Sequence, residues 1–326
     1  MKGKDTYRGR FFWLLKWVVG ILFCWYLYRV LQAEGMAWPA EGLAAVFGGL
    51  HGLIALLVLV LFPVQLVLEL VKWRLLLKEH VPFWWGIRSI CTGMMAGLVS
   101  LNGLGDFAGR IMYLPADKRV QGTWAGIGGG LISFLAVMLV ALPIFPYLLE
   151  TKGVLLTGRL LLVLKVMSWV LVLGLLLLYT SARHLPLVFS RARLLKAWKE
   201  HFEALSIYSK TEMLVILAIS VLRFLLANLQ LVLLWQVFGL NVSLLEGFFW
   251  SIGLFGLLTL VPTILITDLG VRGGMALWLL SGLAPHSWQL LLPGYLLWCL
   301  NVIFPAVFGW FSMWFLKQKT AQPNGL

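Results

Sequence analysis

Two short charged units in an otherwise apolar sequence are the residues best suited to chemistry. Asp106 is followed four residues later by Arg110, and Asp268 is followed in the same way by Arg272. An acid and a base at this spacing lie on one face of a helix, where they neutralise each other. A guanidinium group also matches the geometry of phosphate and carboxylate groups. The two units therefore predict a pair of sites at which arginine contacts an anionic group and aspartate orients the arginine.

Glycine and proline surround both units. The first lies at the end of residues 100–110, which include Asn102 and Gly105, and the second lies in residues 261–274, which include Pro262. Glycine permits turns and a close backbone approach that other residues do not. A helix that breaks and restarts there presents free N–H groups, which favour an anion. We therefore count Asn102, Gly105 and Pro262 with the four charged residues as candidate substrate-binding residues.

Further charges lie within apolar runs. Arg223 and Lys165 are far from the ends of their runs, so neither charge reaches water easily, and both are candidate substrate-binding residues. Glu69 lies near one end of its run and is expected to pair with Lys72 or Arg74 at the membrane interface. One alternative stays open for the two Asp–Arg units: an ion pair that only fixes the local backbone.

The composition places these residues in a membrane protein. Of 326 residues, 61% are apolar and 12% are charged, against about 45–50% and about 25% in an average soluble domain. This excludes a soluble enzyme, a coiled coil and a disordered chain. The net charge of +13 comes mostly from basic residues between apolar runs, where they meet anionic headgroups, so we expect no nucleic-acid partner. The three distant cysteines predict no disulfide, and no spacing predicts a metal or cofactor site.

Six apolar runs have the length of about 20 residues that a helix needs to cross a bilayer. They are, approximately, residues 11–31, 44–71, 122–149, 154–180, 212–238 and 287–316. Two further apolar stretches, 83–101 and 245–262, run into the Asp–Arg motifs. The apolar pieces that follow, 111–114 and 275–283, are too short to cross alone. The pattern predicts two re-entrant hairpins that enter the membrane, break and return.

The distribution of Lys and Arg predicts the orientation. If the six runs cross and the hairpins do not, 19 of the 26 Lys and Arg residues fall on the side of the two termini. The segments on the opposite side contain only Lys152. By the positive-inside rule, both termini are cytoplasmic. We expect a multi-pass protein of a bacterial-type cytoplasmic (inner) membrane, with a basic amphipathic surface helix over residues 183–208.

The same layout occurs twice along the chain. Both acids and both arginines of the two motifs are 162 residues apart, and a long run precedes and follows each motif. Run 44–71 corresponds to 212–238, and run 122–149 corresponds to 287–316. Three crossings separate the motifs, so they enter from opposite faces. This is the pattern of an inverted-topology repeat with broken helices, an architecture of transporters.

The predicted fold class is therefore an all-α polytopic membrane protein with six long spans and two broken-helix hairpins in an inverted repeat. We expect one domain over residues 1–316, with repeat halves at about 44–149 and 212–316 and a short cytoplasmic tail over 317–326.

At the two motifs the chain resembles the lysylphosphatidylglycerol synthetase transmembrane family, a flippase-like membrane domain. Residues 100–110 are similar to that family's first motif, a Gly-Glu unit followed by Arg in a turn with Pro, Asn or Gly; Gly105 and Asp106 stand for the Gly-Glu unit. Pro262 and residues 268–273 are similar to its second motif, in which Pro precedes an acid–x–Gly–x–Arg unit. Both acids are Asp here in place of Glu. The resemblance covers about residues 10–315. It implies translocation of lipid; we expect no synthesis of a lysyl lipid, because these residues include no soluble aminoacyl-transferase domain.

The expected function is that of a flippase, which moves lipid between leaflets through a cavity between the two repeats. Its substrate would be an anionic or zwitterionic phospholipid, or a lipid-linked polyprenyl phosphate. Arg110 and Arg272 would contact the phosphate, Asp106 and Asp268 would orient them, and Arg223 would add positive potential.

Two other functions stay open at this point. A non-catalytic scaffold for envelope lipid or glycan synthesis would bind its partner through residues 183–208. A membrane-embedded transferase would use the two aspartates. We expect no enzyme activity, because no nucleophile or histidine stands in a catalytic spacing, and the oligomeric state, including a homo-oligomer, stays open.

Overall fold

The computed structural model of the chain describes residues 49–100, 103, 105–153, 157–180, 208–263 and 265–320, with the isolated positions 25, 28, 29 and 32. Across these residues the regular structure is helical, and none of them lies in a strand. The predicted first span, Asn102 and the predicted surface helix over 183–208 fall wholly or largely outside the described residues.

The described helices are numbered α1 to α11 in chain order. Their bounds are α1 Gly49–Leu77, α2 Phe83–Val99, α3 Gly105–Ile111, α4 Arg119–Ala141, α5 Phe145–Thr151, α6 Gly158–Thr180, α7 Lys210–Val237, α8 Leu244–Leu260, α9 Leu265–Leu280, α10 Ser287–Trp298 and α11 Phe304–Thr320. A 3-10 turn (Ala116–Lys118) leads into α4, and a π-helical turn (Cys299–Ile303) joins α10 to α11.

Five helical segments of the described chain are long and apolar enough to cross a bilayer. They are Gly49–Leu77, Ala116–Ala141, Gly158–Leu177, Lys210–Val237 and Ser287–Met313. They coincide with the last five of the six predicted runs. Helix α6 in particular leaves nearly all of its apolar side chains uncovered, as a lipid-facing helix does. The chain therefore has the character of an all-α, multi-pass membrane protein.

One predicted span is shorter than its apolar run. Residues 122–149 were expected to form one helix, but α4 ends at Ala141 and the short α5 begins at Phe145. Pro143 and Pro146 explain the interruption, because a proline ring removes one backbone donor and clashes with the preceding turn. Pro146 is tolerated because it lies at the start of α5, where its N–H is not needed.

The first charged motif begins at a break between two helices, as predicted. Helix α2 ends at Val99, Gly103 has a φ of +71°, and α3 restarts at Gly105. The backbone N–H of Gly105 donates to Oγ of Ser100 at 2.7 Å. This bond satisfies one of the N–H groups that are left without a helical partner where α3 begins. Asp106 and Arg110 both lie within α3, on one helix as their four-residue spacing indicates.

The second motif has the same arrangement. Helix α8 ends at Leu260, Val261 is extended with φ −93° and ψ 114°, and α9 begins at Leu265. Pro262 cannot donate a helical hydrogen bond and disfavours helical backbone in Val261, which accounts for the end of α8. Helix α9 includes the whole Asp–Arg unit and continues to Leu280, so the helix after this break is longer than the apolar piece predicted there.

Glycines allow α3 to pack directly on the backbone of α2. A Cβ atom at Gly105 would lie 2.2 Å from the carbonyl oxygen of Ala96, and one at Gly109 would lie 2.5 Å from that of Thr92. Both distances are far inside van der Waals contact, so only glycine fits. These glycines and the glycine pair at 93 and 97 of α2 are each four residues apart, the spacing that lets membrane helices approach closely.

The chain divides into two compact units. The first unit is Met1–Pro63, Cys91–Gly109 and Asn228–Leu326, and the second unit is Val64–Ile90 and Arg110–Ala227. In the second unit, apolar side chains such as Trp73, Ile132 and Ile216 form a buried core. Tyr208 belongs to this core, and its hydroxyl donates to the carbonyl of Leu76. Burial, with a smaller contribution from Glu212, raises the pKa of Tyr208 to about 12, so it stays a donor at neutral pH.

The helix boundaries recur along the chain with the spacing of the motifs. Helices α2 and α8 both have 17 residues and begin 161 residues apart, and each precedes a break and an Asp–Arg helix. The preceding helices also match: Trp73 of α1 and Trp235 of α7, 162 residues apart, are both fully buried.

The start of each 17-residue helix contacts its long neighbour at corresponding positions. In the second unit, a Cβ at Gly86 would meet Leu70, and in the first unit, a Cβ at Gly247 would meet Val232. Leu70 and Val232 are again 162 residues apart. The same local packing therefore occurs at both places.

Candidate functional site

Three basic side chains converge on the carboxylate of Glu69. Arg110 Nη1 lies 2.7 Å from Oε1, Lys72 Nζ lies 2.8 Å from Oε2, and Arg223 Nη1 also contacts Oε2. The side chains of Glu69 and Lys72 are each 3% exposed, so these charges are withdrawn from solvent. We call these four residues the Glu69 cluster.

Three helices supply the cluster. Its acid and its lysine lie on α1, three residues apart and therefore on one face of the helix. Arg110 lies in the last turn of α3, where its carbonyl accepts a hydrogen bond of 3.0 Å from Ser89 Oγ. Arg223 lies midway along α7, and its Nε donates to the carbonyl of Gln65 at 3.2 Å. All of these residues belong to the second unit.

Neutral groups also contact the basic side chains. The guanidinium carbon of Arg110 lies 5.3 Å from the centre of the Trp73 ring, a cation–π contact. Lys72 Nζ donates to Ser133 Oγ at 2.9 Å, and that hydroxyl donates to the Gly129 carbonyl at 3.0 Å. These contacts satisfy hydrogen-bond donors and help to fix the side chains, but they bring no negative charge to the cluster.

The Glu69 cluster has an excess of positive charge. One carboxylate and three cations give the four side chains a formal charge of +2, and counting Asp106, one turn before Arg110 in α3, still leaves +1. Other ion pairs join one cation to one acid, for example Lys118 with Glu79. Buried charge without compensation is costly. The cluster is therefore electrostatically suited to a further anion.

The second motif forms a smaller polar site in the first unit. On α9, Arg272 Nη2 lies 3.2 Å from Asp268 Oδ2, which confirms the predicted pairing of an acid and a base four residues apart. The hydroxyl of Thr263, in the break before α9, donates to Asp268 Oδ1 at 3.2 Å. Each side chain of the pair is about one-fifth exposed.

A small pocket opens beside Arg272. Apart from Arg272 and Tyr295, its lining is apolar and includes Leu231 of α7 and Phe255 of α8. The Tyr295 hydroxyl donates to the carbonyl of Leu269 at 3.0 Å. Within the described residues, the buried Nε of Arg272 has no hydrogen-bond acceptor. The wall of this pocket is therefore apolar apart from the side chains of Arg272 and Tyr295.

The predicted site residues lie in several places. Arg110 and Arg223, predicted separately, meet at Glu69, whereas Asp268 and Arg272 form their own pair. Lys165 lies elsewhere in the second unit, 2.7 Å from Glu150 and 4.3 Å above the ring of Tyr147.

The remaining candidates lie around the breaks. Asp106 is in the first turn of α3, with its Cβ against Gly97; Gly105 begins that helix, and Pro262 is exposed between α8 and α9. Asn102 lies outside the described residues.

The convergence of three cations on Glu69 is not predictable from local spacing. Of the two expected partners of this acid, the pair with Lys72 is confirmed, whereas Arg74 Nε donates instead to the carbonyl of Val81 at 2.8 Å. One available signal was that Glu69 is the one acid of the apolar run 44–71, close to the lysine that follows the run. A second was the isolated Arg223, which needs a partner.

Among the residues that the structure describes, no group of three or more His, Cys, Asp or Glu side chains is arranged to hold a metal ion. No family model, no curated protein and no solved structure matches the chain.

Proposed function

We propose that this chain is a lipid transporter of the flippase type, which moves a phospholipid or a lipid-linked phosphate from one membrane leaflet to the other. The observation that carries the proposal is the Glu69 cluster, with three cations around one buried carboxylate. A lipid phosphate supplies the missing negative charge, and its oxygens accept charge-assisted hydrogen bonds from guanidinium and ammonium groups. The apolar helices around the cluster are compatible with acyl chains.

The roles of the residues follow from their positions. Arg110 and Arg223 contact the phosphate from two different helices, and Lys72 adds charge from the buried side. Glu69 holds these cations in place when no lipid is bound, so that they do not repel one another. Asp106 and Asp268 orient Arg110 and Arg272, each one turn further along the same helix, which is the role expected from the sequence.

An inverted repeat would give the two motifs access from opposite leaflets. The two helices before each break have nearly equal lengths in both halves, and the breaks recur at a spacing of about 162 residues, which supports two related halves. If either hairpin crossed the membrane, all later segments would change sides, and the Lys and Arg residues would no longer gather on one side. Their distribution therefore supports two hairpins that enter from opposite sides. Broken helices that meet within the membrane provide polar backbone at the depth where a headgroup must pass.

The proposed substrate is an anionic or zwitterionic lipid, and the proposed location is a bacterial-type cytoplasmic membrane. The resemblance of both motifs to the flippase-like membrane family points to the same activity, so we propose membership of that family as well. Transport of this kind forms and breaks no covalent bond, and no catalytic residue is proposed.

Transport is tested in proteoliposomes that contain phosphatidylglycerol with a fluorescent headgroup label in both leaflets. A membrane-impermeant reductant destroys the outer label, and the inner label is lost only if it is moved outward. Wild-type protein is expected to speed this loss. Arg110→Gln and Arg223→Gln should each slow it at least about tenfold, since each removes a charge-assisted hydrogen bond.

The matched control is Lys118→Gln, which removes a cation from a partly exposed pair with Glu79 and is expected to leave transport unchanged. Wild-type protein that moves label no faster than protein-free liposomes would contradict the proposed function. Transport that survives in both arginine variants would contradict the assigned roles.

A further inference from the structure

Lys72 differs in its chemistry from the other cations of the Glu69 cluster. The guanidinium groups of Arg110 and Arg223 keep their charge at every pH that a protein encounters, whereas a buried lysine is able to lose its proton. The side chain of Lys72 is 3% exposed, and its carboxylate partner, Glu69, is shared with both arginines. Lys72 is therefore the basic group of the cluster whose charge can vary.

Several helices supply the groups that face Lys72. The charged side chains that act on it are Glu69 of its own helix, Arg110 of α3 and Arg223 of α7. Helix α4 supplies a neutral hydroxyl: Nζ donates to Ser133 Oγ at 2.9 Å, and this hydroxyl donates in turn to a backbone carbonyl of α4. A hydroxyl accepts from an ammonium and, after rotation, donates to a neutral amine. The position therefore accommodates both charge states of the lysine.

The charge of the cluster stays constant if a lipid and a proton enter it together. When Lys72 is neutral, the two arginines and Glu69 give the empty cluster a formal charge of +1. A lipid phosphate diester adds one negative charge and a proton on Lys72 adds one positive charge, so the occupied cluster has the same charge. Counting Asp106 brings both states to zero. Uncompensated charge is costly in a buried site, so each of the two ions favours binding of the other.

We propose that the lipid is transported together with a proton, which Lys72 binds when the lipid phosphate occupies the Glu69 cluster. The inference rests on the proposed function and deepens it, because it names a second substrate of the same site. The proton comes from water on the side at which the lipid enters. It adds to the lone pair of Nζ, and no other bond forms or breaks.

Two consequences follow from this linkage. The ammonium of Lys72 donates charge-assisted hydrogen bonds to the phosphate, so a bound lipid favours the protonated lysine, and protonation strengthens lipid binding by the same factor. A lipid with one negative charge then crosses with one proton, and the transport step moves no net charge. Glu69 is the less suitable proton carrier, because protonating it removes the acceptor that the three cations share.

Proton uptake is measured by isothermal titration calorimetry of the full-length protein in a neutral detergent, with dioctanoyl phosphatidylglycerol as the probe. Titrations in buffers of different ionisation enthalpy give the number of protons taken up per lipid bound. Wild-type protein should take up protons, and its affinity should fall at least about tenfold between about pH 6 and about pH 9. Lys72→Arg, which has a fixed charge, should take up none and stay within about threefold over this range.

The matched control is Lys118→Arg, the same exchange in the partly exposed pair with Glu79, which should keep the proton uptake of wild type. Lys72→Met covers the case in which the larger arginine does not fold at the buried position. It imitates the neutral lysine in length, so it should bind the probe more weakly than wild type at low pH and take up no proton.

Three outcomes of the titrations overturn the inference. They are uptake that persists in the folded Lys72 variants, binding to wild type without uptake, and no binding of the probe to wild type. In proteoliposomes, an acidic interior should speed outward transfer of the label, whereas a potassium diffusion potential should leave the rate unchanged. A rate that follows the potential and ignores the pH gradient also overturns the inference.

These results are distinct from a failure of the proposed function, which is judged by label transfer itself. Binding that takes up a proton through Lys72, in a protein that moves no label, would keep the linkage and remove the transport. Label transfer by a protein that binds lipid without proton uptake would keep the transport and remove the linkage.

Discussion

Arg110 and Glu69 form a buried ion pair, with Nη1 2.7 Å from Oε1, although 41 residues separate them in the sequence. The pair joins the helix after the first break to α1. Because Lys72 and Arg223 contact the same carboxylate, a loss of Glu69 affects every member of the cluster, whereas a loss of one cation leaves two others on the acid.

The first prediction concerns this asymmetry. Glu69→Gln leaves three neighbouring cations without their shared acid and should lower the free energy of unfolding by about 3–5 kcal/mol. The measurement is denaturant unfolding in detergent, followed by far-ultraviolet circular dichroism. The control, Glu79→Gln, breaks a partly exposed pair and should cost at most about 1 kcal/mol. Equal losses of unfolding free energy in the two variants would show that the buried cluster contributes no more to stability than a partly exposed ion pair.

The second prediction concerns the contact between α2 and α3. Gly105→Ala and Gly109→Ala each put a methyl group within 2.5 Å of a carbonyl oxygen, and backbone cannot rotate away as a side chain does. Each should destabilise the protein by about 1–3 kcal/mol or more. Gly130→Ala in α4 is the matched control: its Cβ meets nothing within 4 Å, and the change should stabilise the helix by up to about 1 kcal/mol. Stable Gly105 and Gly109 variants would contradict the close packing.

The third prediction tests the inverted repeat. In a variant without native cysteines, single cysteines are placed at Asp117 and at Ser281, exposed positions that follow the first and the second hairpin. Opposite entry sides predict that a membrane-impermeant maleimide labels position 281 from outside the cell and position 117 only after permeabilisation. Labelling of both from one compartment would rule out the inverted arrangement.

The fourth prediction concerns the π-helical turn between α10 and α11. Asn301, in this turn, donates from Nδ2 to Oε1 of the buried Gln230 at 2.8 Å, while Gln230 Nε2 donates to the carbonyl of Val58 at 2.8 Å. A double-mutant cycle of Asn301→Leu and Gln230→Leu should give a coupling energy of about 1 kcal/mol in the free energy of unfolding. Additive effects would show that the hydrogen bond contributes nothing to stability.

Much of the fold was predictable because bilayer length and apolar composition constrain it so strongly. Long runs predicted helices, and Pro262 and Gly103 predicted where helices break. The four-residue spacing of acid and base indicated a helical face, and both motifs lie in helices. The glycines of the first motif indicated turns, but Gly105 and Gly109 serve a helix–helix contact, which depends on the neighbouring helix and is not visible in local propensity.

The site was predicted only in part for a related reason. Asp268 and Arg272 pair within one helix, so their spacing was sufficient to predict the contact. Arg223 and Glu69 are 154 residues apart, and their contact depends on how α7 packs against α1. In the sequence, such a contact is indicated only by a charged residue in an apolar run that has no oppositely charged residue near it.

Trp73 gives the Glu69 cluster an intrinsic optical reporter. The guanidinium carbon of Arg110 lies 5.3 Å from the centre of its indole ring, and the ring is fully buried. An incoming anion that draws Arg110 away changes the electric field at this fluorophore and therefore the wavelength of its emission. Subtracting the spectrum of a Trp73→Phe protein isolates that signal from the other indoles, so occupancy of the cluster becomes readable without any attached dye.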